Sequence, residues 1–338
     1  MKQHSIRVAV VGATGYGGAE VIRLLASHPC AKVTIATSAR RAGTPLRQEC
    51  PWLSSDLVLS EFIPDGLNAD FTFLCQETGF AMDVAPSLLP HTRVIDLSAD
   101  FRLEDLDIYE QYYGRKHTNP TLSTKPVYGL PELVDRAQIQ SAVLVANPGC
   151  FPTASLLALM PLARAGLVSG IPVVDAKSGV SGAGRSKADT AYLFSELDGG
   201  VKAYGVVGHR HTPEIEQLSD LKVRFTPHLI PMPRGIHATV HIPVKEGQKL
   251  DGIKELYRQF YSGEPFVTLQ DAPPSTKQVL GSNRCAMSVD LDERTGFAIV
   301  NSVIDNLVKG MAGQAIQNMN LMAGIPEETG LPMDGVWP

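Results

Sequence analysis

Long apolar stretches are missing from this chain. No run among its 338 residues approaches the roughly 20 consecutive apolar positions that a membrane-spanning helix needs. The opening Met1 to Arg7 is short and polar and leads straight into an apolar run, with no signal-peptide core. Paired cysteines are missing too. Cys30, Cys50, Cys75, Cys150 and Cys285 are odd in number and scattered without a C-x-x-C pair, which argues against a disulfide framework and against a zinc site. There is no basic block either: 30 Lys and Arg face 35 Asp and Glu, a formal net charge of −5, which leaves no electrostatic footprint for nucleic acid. The expectation is a soluble, cytoplasmic protein without metal, membrane or nucleic-acid partner. With 44% hydrophobic and 19% charged residues it is long enough for two domains, each with its own core.

What is present is first an alternation of strands and helices. Ile6 to Val11 is nearly continuous apolar sequence, as a strand covered on both faces should be. A glycine-rich turn, Gly12 to Gly18, follows, and Glu20 to Ser27 carries Val21, Leu24 and Leu25 at helical spacing. Val33 to Thr37, Phe71 to Cys75, Arg93 to Leu97 and Val143 to Ala146 read as further strands. The pattern predicts an α/β domain with a parallel, doubly wound sheet. After about residue 150 the texture changes. Pro172 to Ala176, Lys222 to Ile230, Ile236 to Val244, Ala286 to Leu291 and Phe297 to Val303 are strand-like with few helices between the later ones, which predicts a mainly antiparallel sheet in a second, α+β domain. Leu250 to Tyr261 and Asn306 to Ala323 read as helices.

The glycine-rich turn sits after an apolar strand and before a helix, the context that a dinucleotide fingerprint requires. Gly12 allows a tight turn, Gly15 lets the backbone approach a pyrophosphate, and Gly17 and Gly18 permit close packing, with Thr14 and Tyr16 between them. The second strand ends Thr37-Ser38-Ala39-Arg40-Arg41. It has no carboxylate for a ribose 2′-hydroxyl; Ser38, Arg40 and Arg41 suit a 2′-phosphate, which predicts NADP(H).

A nucleophile is legible at Asn147-Pro148-Gly149-Cys150. An apolar strand ends, a turn follows, and Cys150 opens a helix whose positive end favours thiolate, the attacking form. Cys30, Cys75 and Cys285 read as inert. His209 and His211 offer a base. Thr212 is placed as N-cap and Pro213 as the first helical residue, so that His211 stands before a helix N-terminus and is kept neutral there. Glu214 is placed to orient one of the imidazoles. Two histidines at this spacing also suit a metal, but no third ligand has matching spacing. His237 is a second acid/base candidate, while His4, His28, His91 and His228 read as ordinary surface or packing residues. The glycine-rich Ser178 to Arg185 reads as an active-site loop. Arg102, Asn147, Lys177, Ser178, Gly179, Gly182 and Arg185 form the candidate set for substrate.

Together these segments resemble the N-acetyl-gamma-glutamyl-phosphate reductase family, related to the aspartate-semialdehyde dehydrogenases. The resemblance runs nearly end to end. It is carried by V-G-A-T-G-Y-G-G-A-E at Val11 to Glu20, D-L-S-A-D-F-R at Asp96 to Arg102, Y-G-L-P-E at Tyr128 to Glu132, and N-P-G-C at Asn147 to Cys150. S-G-V-S-G-A-G-R at Ser178 to Arg185, H-R-H-T-P-E-I at His209 to Ile215 and D-N-L-V-K-G-M-A-G-Q-A at Asp305 to Ala315 complete it. Met311 stands where the family more often has Ala. The resemblance implies a Rossmann-like domain over 1–148, joined by a C-terminal helix at 306–338, and a catalytic and dimerisation domain over 149–305. It implies Cys150 as nucleophile, His211 as acid/base, Ser98 at the cofactor, and Asn306, Lys309 and Gly310 near the nicotinamide, in a homodimer or homotetramer. The implied reaction is NADPH-dependent reduction of an acyl phosphate to an aldehyde through a thioester, in arginine biosynthesis. Aspartyl phosphate or a carrier-bound aminoadipyl phosphate are rival substrates, and a catalytically silent nucleotide-binding regulator is the rival from another class.

Overall fold

The computed structural model describes residues 5–123, 126–186 and 189–337; His4 lies outside them. The described residues fall into two compact units. One holds those up to Pro148, together with Gly184–Ser186 and Met311–Leu331; the other holds Gly149–Ala183, the described residues from Asp189 to Gly310, and those from Pro332 onward. No helix among the described residues is long and apolar enough to cross a membrane.

The first unit is built on β1 (Ile6–Val11), β2 (Ala31–Thr37), β3 (Phe71–Leu74), β4 (Arg93–Asp96), β5 (Val127–Tyr128) and β6 (Leu144–Ala146). They form one parallel sheet in the order β2-β1-β3-β4-β6-β5. Val8 to Val11 of β1 and all of β3 are buried, because helices cover both faces of a doubly wound sheet. The helix Phe80–Leu88 contributes Ala81, Met82, Ala85 and Leu88 to a core shared with Ala9, Val11, Leu74 and Val94. The helix Tyr16–Leu25 starts four residues earlier than its apolar spacing indicated, since the glycines and alanine that open it carry no readable period. The expected Asn306–Ala323 helix is also shorter: a π-helical turn at Val308–Ala312 precedes an α-helix at Gly313–Met322.

The second unit contains β7 (Val173–Ser178), β8 (Lys202–Ala203), β9 (Arg224–Leu229), β10 (Ile236–Pro243), β11 (Val267–Leu269), β12 (Cys285–Asp292) and β13 (Phe297–Ile304). Their order is β11-β12-β13-β10-β7-β9-β8. The β12–β13, β13–β10, β10–β7 and β9–β8 pairs are antiparallel, and β7–β9 and β11–β12 are parallel. Alternate residues of β10 are buried, and the helix Cys150–Arg164 packs on β10 and β13. That helix holds Pro161, whose missing N–H leaves the Leu157 carbonyl one turn back without its helical donor. The Tyr261 hydroxyl donates to that carbonyl, and Tyr257 donates to the next one, of Ala158. Both tyrosines belong to the neighbouring segment around the helix Leu250–Phe260.

Candidate active site

In the first unit the glycines of the nucleotide turn divide by cause. Gly12 has φ +88°, and a Cβ there would lie 2.6 Å from the Cys75 carbonyl oxygen. A Cβ on Gly18 would lie 2.3 Å from the Gly12 oxygen. The protein itself demands glycine at both. A Cβ on Gly17 meets side chains alone, the flexible end of Met311 and, farther off, Leu97. Gly15, the N-cap of the first helix, would meet nothing closer than 3.5 Å. The fold has no need of glycine at Gly15, so the bare backbone there is space for a ligand against the helix N-terminus.

Around this turn Thr14 Oγ1 and Ser38 Oγ are 3.4 Å apart. Arg40 is exposed, and the Arg41 guanidinium pairs with Glu49 at 3.3 Å. Tyr16 is partly exposed at the first position of its helix. Ser98 donates through its backbone N–H and its hydroxyl to the two Asp96 carboxylate oxygens, at 2.8 and 2.9 Å. Burial, reinforced by neighbouring Asp100, pushes the Asp96 carboxyl up to about 7. Arg102 is buried and donates to the Asn147 and Leu97 carbonyls, tying the ends of two strands. Asn147 donates to the Met311 carbonyl and accepts from Asn318. Arg185 counts with this unit, its guanidinium beside Thr14 and Glu49.

In the second unit Cys150 is the first residue of its helix, after Gly149 as N-cap with no capping side chain. The missing cap is supplied from elsewhere: the Gly149 N–H donates to Glu214 Oε1 at 2.8 Å, and Glu214 is fully buried. Glu214 lies in the first turn of the helix Thr212–Ser219 and so fixes the start of that helix against the start of the Cys150 helix. Here the structure corrects one expectation. His211, already helical in backbone, is the N-cap and Thr212 is the first helical residue, because the His211 carbonyl accepts the first helical bond, from the Ile215 N–H.

His209 sits in an aromatic cage. Its ring is 5.7 Å from Phe151, 5.4 Å from Tyr204, 5.2 Å from Phe225 and 5.0 Å from His211. Burial, with neighbouring Arg210, pulls its imidazole down to about 4, so the ring is neutral near pH 7. Its Nδ1 accepts the His211 backbone N–H at 3.1 Å. Tyr204 escaped the sequence reading, since nothing in V-K-A-Y-G marks it. Burial, then the Cys150 charge and Tyr192, pushes its hydroxyl well up, so it remains a protonated donor.

Gly310 touches the nucleophile: a Cβ there would lie 2.8 Å from Cys150 Cβ, so only glycine lets the two segments meet. Asn306 is buried, accepting from the Gly235 N–H at 2.6 Å and donating to Ser181 Oγ at 2.9 Å. It thereby staples the loop after β7 to the turn before β10. In that loop Gly179 has Met232 and Arg234 backbone where a Cβ would go, the Ser178 hydroxyl donates to the Gly179 carbonyl, and Gly182 is exposed. Lys309 is fully buried with its ammonium 5.3 Å from the Phe266 ring centroid. Lys177 and His237 lie on the sheet face opposite the Cys150 helix. There Lys177 pairs with Asp175 at 2.9 Å and His237 Nε2 is 3.3 Å from Asn301 Oδ1. The structure therefore gathers Cys150, His209, His211, Glu214 and Gly310, and sets Lys177 and His237 apart from them.

Comparison with known proteins follows the same two-part division. Residues 7–142 match a family model described as semialdehyde dehydrogenase, NAD binding domain, and residues 150–306 one described as semialdehyde dehydrogenase, dimerisation domain. The chain is 51% identical over 341 residues to the N-acetyl-gamma-glutamyl-phosphate reductase of Symbiobacterium thermophilum, covering 97% of each chain. It is 46% identical over 354 residues to that of Heliobacterium modesticaldum, covering 98% of this chain and 100% of the relative. Among solved structures, aspartate semialdehyde dehydrogenase II from Vibrio cholerae superposes with a TM-score of 0.72 at 18% identity, covering 95% of this chain and 99% of that one, a likeness of fold.

Proposed function

The chain belongs to the N-acetyl-gamma-glutamyl-phosphate reductase family, and on that footing we propose that it reduces N-acetyl-gamma-glutamyl phosphate with NADPH to N-acetyl-glutamate 5-semialdehyde and phosphate, through a thioester on Cys150, in arginine biosynthesis. The observation that carries this reading is Cys150 at a helix start whose N-cap N–H is held by a buried carboxylate, next to the segment that carries His209 and His211.

A nicotinamide dinucleotide fits the first unit. The backbone space at Gly15 and the helix N-terminus behind it suit the pyrophosphate, and Ser38, Arg40 and Arg41 suit a ribose 2′-phosphate, which favours NADPH over NADH. When bound, the dinucleotide supplies the hydride that turns the thioester into a thiohemiacetal.

The protein's own groups do the rest. His211 takes the Cys150 proton. The thiolate, favoured by the helix N-terminus, attacks the acyl carbon and phosphate leaves with the electrons of the broken C–O bond. After reduction the thiohemiacetal oxyanion re-forms the carbonyl and expels the thiolate toward the protonated imidazole. His209 acts on His211 through the backbone: its Nδ1 holds the His211 N–H and its neutral ring adds no competing charge. Tyr204, which keeps its proton, packs edge-on against His209. The Ser178–Gly182 loop, its own N–H groups given to the Gly235, Met232, Pro233 and Gly179 carbonyls, is a fixed wall beside the substrate. We read the assembly as a homodimer or homotetramer, from the match to a dimerisation domain, and its place of work as the cytoplasm.

The test is phosphate-dependent reduction of NADP+ by N-acetyl-glutamate 5-semialdehyde. Wild type turns over; Cys150→Ser loses activity by about a thousandfold or more. Near-normal turnover by that variant sinks the covalent step, preference for aspartate semialdehyde moves the substrate to a rival, and no turnover by wild type with any such aldehyde favours a silent binder.

A further inference from the structure

Arg185 closes the glycine-rich loop that the sequence assigns to substrate, yet its side chain is held elsewhere. Nη1 donates to the Thr14 carbonyl at 3.0 Å, inside the nucleotide turn, and approaches the buried Cys50 sulfur at 3.6 Å. Nη2 donates to the Glu49 carbonyl at 3.0 Å. The guanidinium lies over the Trp52 ring, 5.4 Å from its centroid. Trp52 is 57% exposed, an unusual place for an indole, and covering this cation gives it a reason to be there.

The same residues touch those already assigned to the 2′-phosphate. Thr14, whose carbonyl Arg185 holds, meets Ser38 through its hydroxyl at 3.4 Å. Glu49, whose carbonyl Arg185 also holds, grips Arg41 through its carboxylate at 3.3 Å. The contacts thus form one chain from Ser38 and Thr14 through Arg185 to Glu49 and Arg41. An arginine carries five N–H donors. Among the described residues two contacts engage Nη1 and one engages Nη2, which leaves the Nε N–H and one on Nη2 without a partner there. Those two belong to the guanidinium edge that grips a phosphate in a bidentate way. The pyrophosphate has its own seat, at the N–H groups that open the first helix; the anion that remains for this edge is the monoester on the adenosine ribose.

We propose that Arg185 is a specificity-determining residue for the dinucleotide, a third guanidinium that with Arg40 and Arg41 receives the ribose 2′-phosphate, rather than a ligand of the acyl phosphate. This rests on the NADPH reading above and names the residue that reading omits. It also gives the loop a second duty: its beginning, at Ser178–Gly182, serves substrate, and its end serves the cofactor.

The experiment titrates NADP+ and NAD+ into full-length enzyme by calorimetry, for wild type, Arg40→Ala and Arg185→Ala, and measures KM for the semialdehyde and phosphate in the NADP+-reducing direction. Arg185→Ala is expected to weaken NADP+ by about ten- to a hundredfold and NAD+ by about twofold or less, with both other KM values nearly unchanged. Arg185→Lys, which keeps the charge and loses the fork, should recover only part of the affinity; it carries the test if the alanine variant does not fold. A wild type that binds NAD+ as well as NADP+ overturns the NADPH reading itself. A wild type that prefers NADP+, with an Arg185→Ala enzyme that keeps the same preference or loses phosphate and semialdehyde instead, overturns this proposal alone.

Discussion

Single residues in the two sites answer to different masters, and substitution separates them. Gly18→Ala puts a methyl 2.3 Å from the Gly12 oxygen, so the turn must move. Gly15→Ala meets no protein atom closer than 3.5 Å. The expected outcome is a loss of at least about 2 kcal/mol of stability for Gly18→Ala, and a change within about 1 kcal/mol for Gly15→Ala. Gly15→Ala should nevertheless bind NADPH about tenfold or more weakly, because the methyl takes ligand space. Thermal melts and dinucleotide titrations on the same two proteins check both halves. Glu214 makes a similar case for the nucleophile. Glu214→Gln leaves its side chain the same length but replaces a charge-assisted acceptor of the Gly149 N–H with a neutral one. About 1–3 kcal/mol of stability and a lower kcat at nearly constant KM are expected; an unchanged kcat would mean that Glu214 only fastens two helices.

At the scale of elements, the Cys150 helix depends on a repair that its own sequence cannot make. Pro161 orphans the Leu157 carbonyl, and the Tyr261 hydroxyl satisfies it from outside the helix. Tyr261→Phe should therefore cost about 1–2 kcal/mol. In a Pro161→Ala background the restored N–H serves the same carbonyl, and the cost should shrink to a few tenths. A double-mutant cycle by urea unfolding measures that coupling; additive losses would show the tyrosine to be packing alone. The turn at Asp305–Gly310 works in a related way. Asp305 accepts from the Leu307, Val308 and Gly281 N–H groups, Asn306 staples the substrate loop, and Gly310 makes room at Cys150. The resemblance assigned Asn306, Lys309 and Gly310 to one task. The structure gives the three residues three different surroundings.

For the molecule as a whole, buried ionisable groups set the response to pH, and two of them pull in opposite directions. The folded His209 sits near 4, below the ordinary 6.5 of imidazole, so the unfolded chain takes up its proton first. Its share of stability is intact above about 6.5 and is lost as pH falls through about 4. Folded Asp96 sits near 7, above the ordinary 3.8, so its share is intact below about 3.8 and is lost as pH rises through 7. Each amounts to at most about 3–4 kcal/mol. Asp96→Asn removes the alkaline loss, so its urea midpoint relative to wild type should rise steadily between pH 4 and 8. A constant offset across that range would mean that Asp96 is ionised throughout in the folded enzyme. His28, His117 and His237, all lowered chiefly by burial, add to the acid-side loss.

Local sequence determined a good deal here. The short apolar runs bounded by turn residues at β1 and β3 are strands covered on both faces. A cysteine after Pro-Gly at the end of such a run opens a helix, as Cys150 does. β5, β8 and β11, of two or three residues each, are too short to carry a period and went unread. Tertiary structure alone decided which polar side chains meet. Lys177 and His237 follow the two-residue alternation of their strands to the face away from Cys150, Tyr204 arrives beside His209 unannounced by any motif, and Arg185 turns from the substrate loop to the nucleotide turn. The physical reason is range: apolar periodicity and capping act within a few residues, whereas a long charged side chain goes wherever distant backbone leaves an unpaired carbonyl.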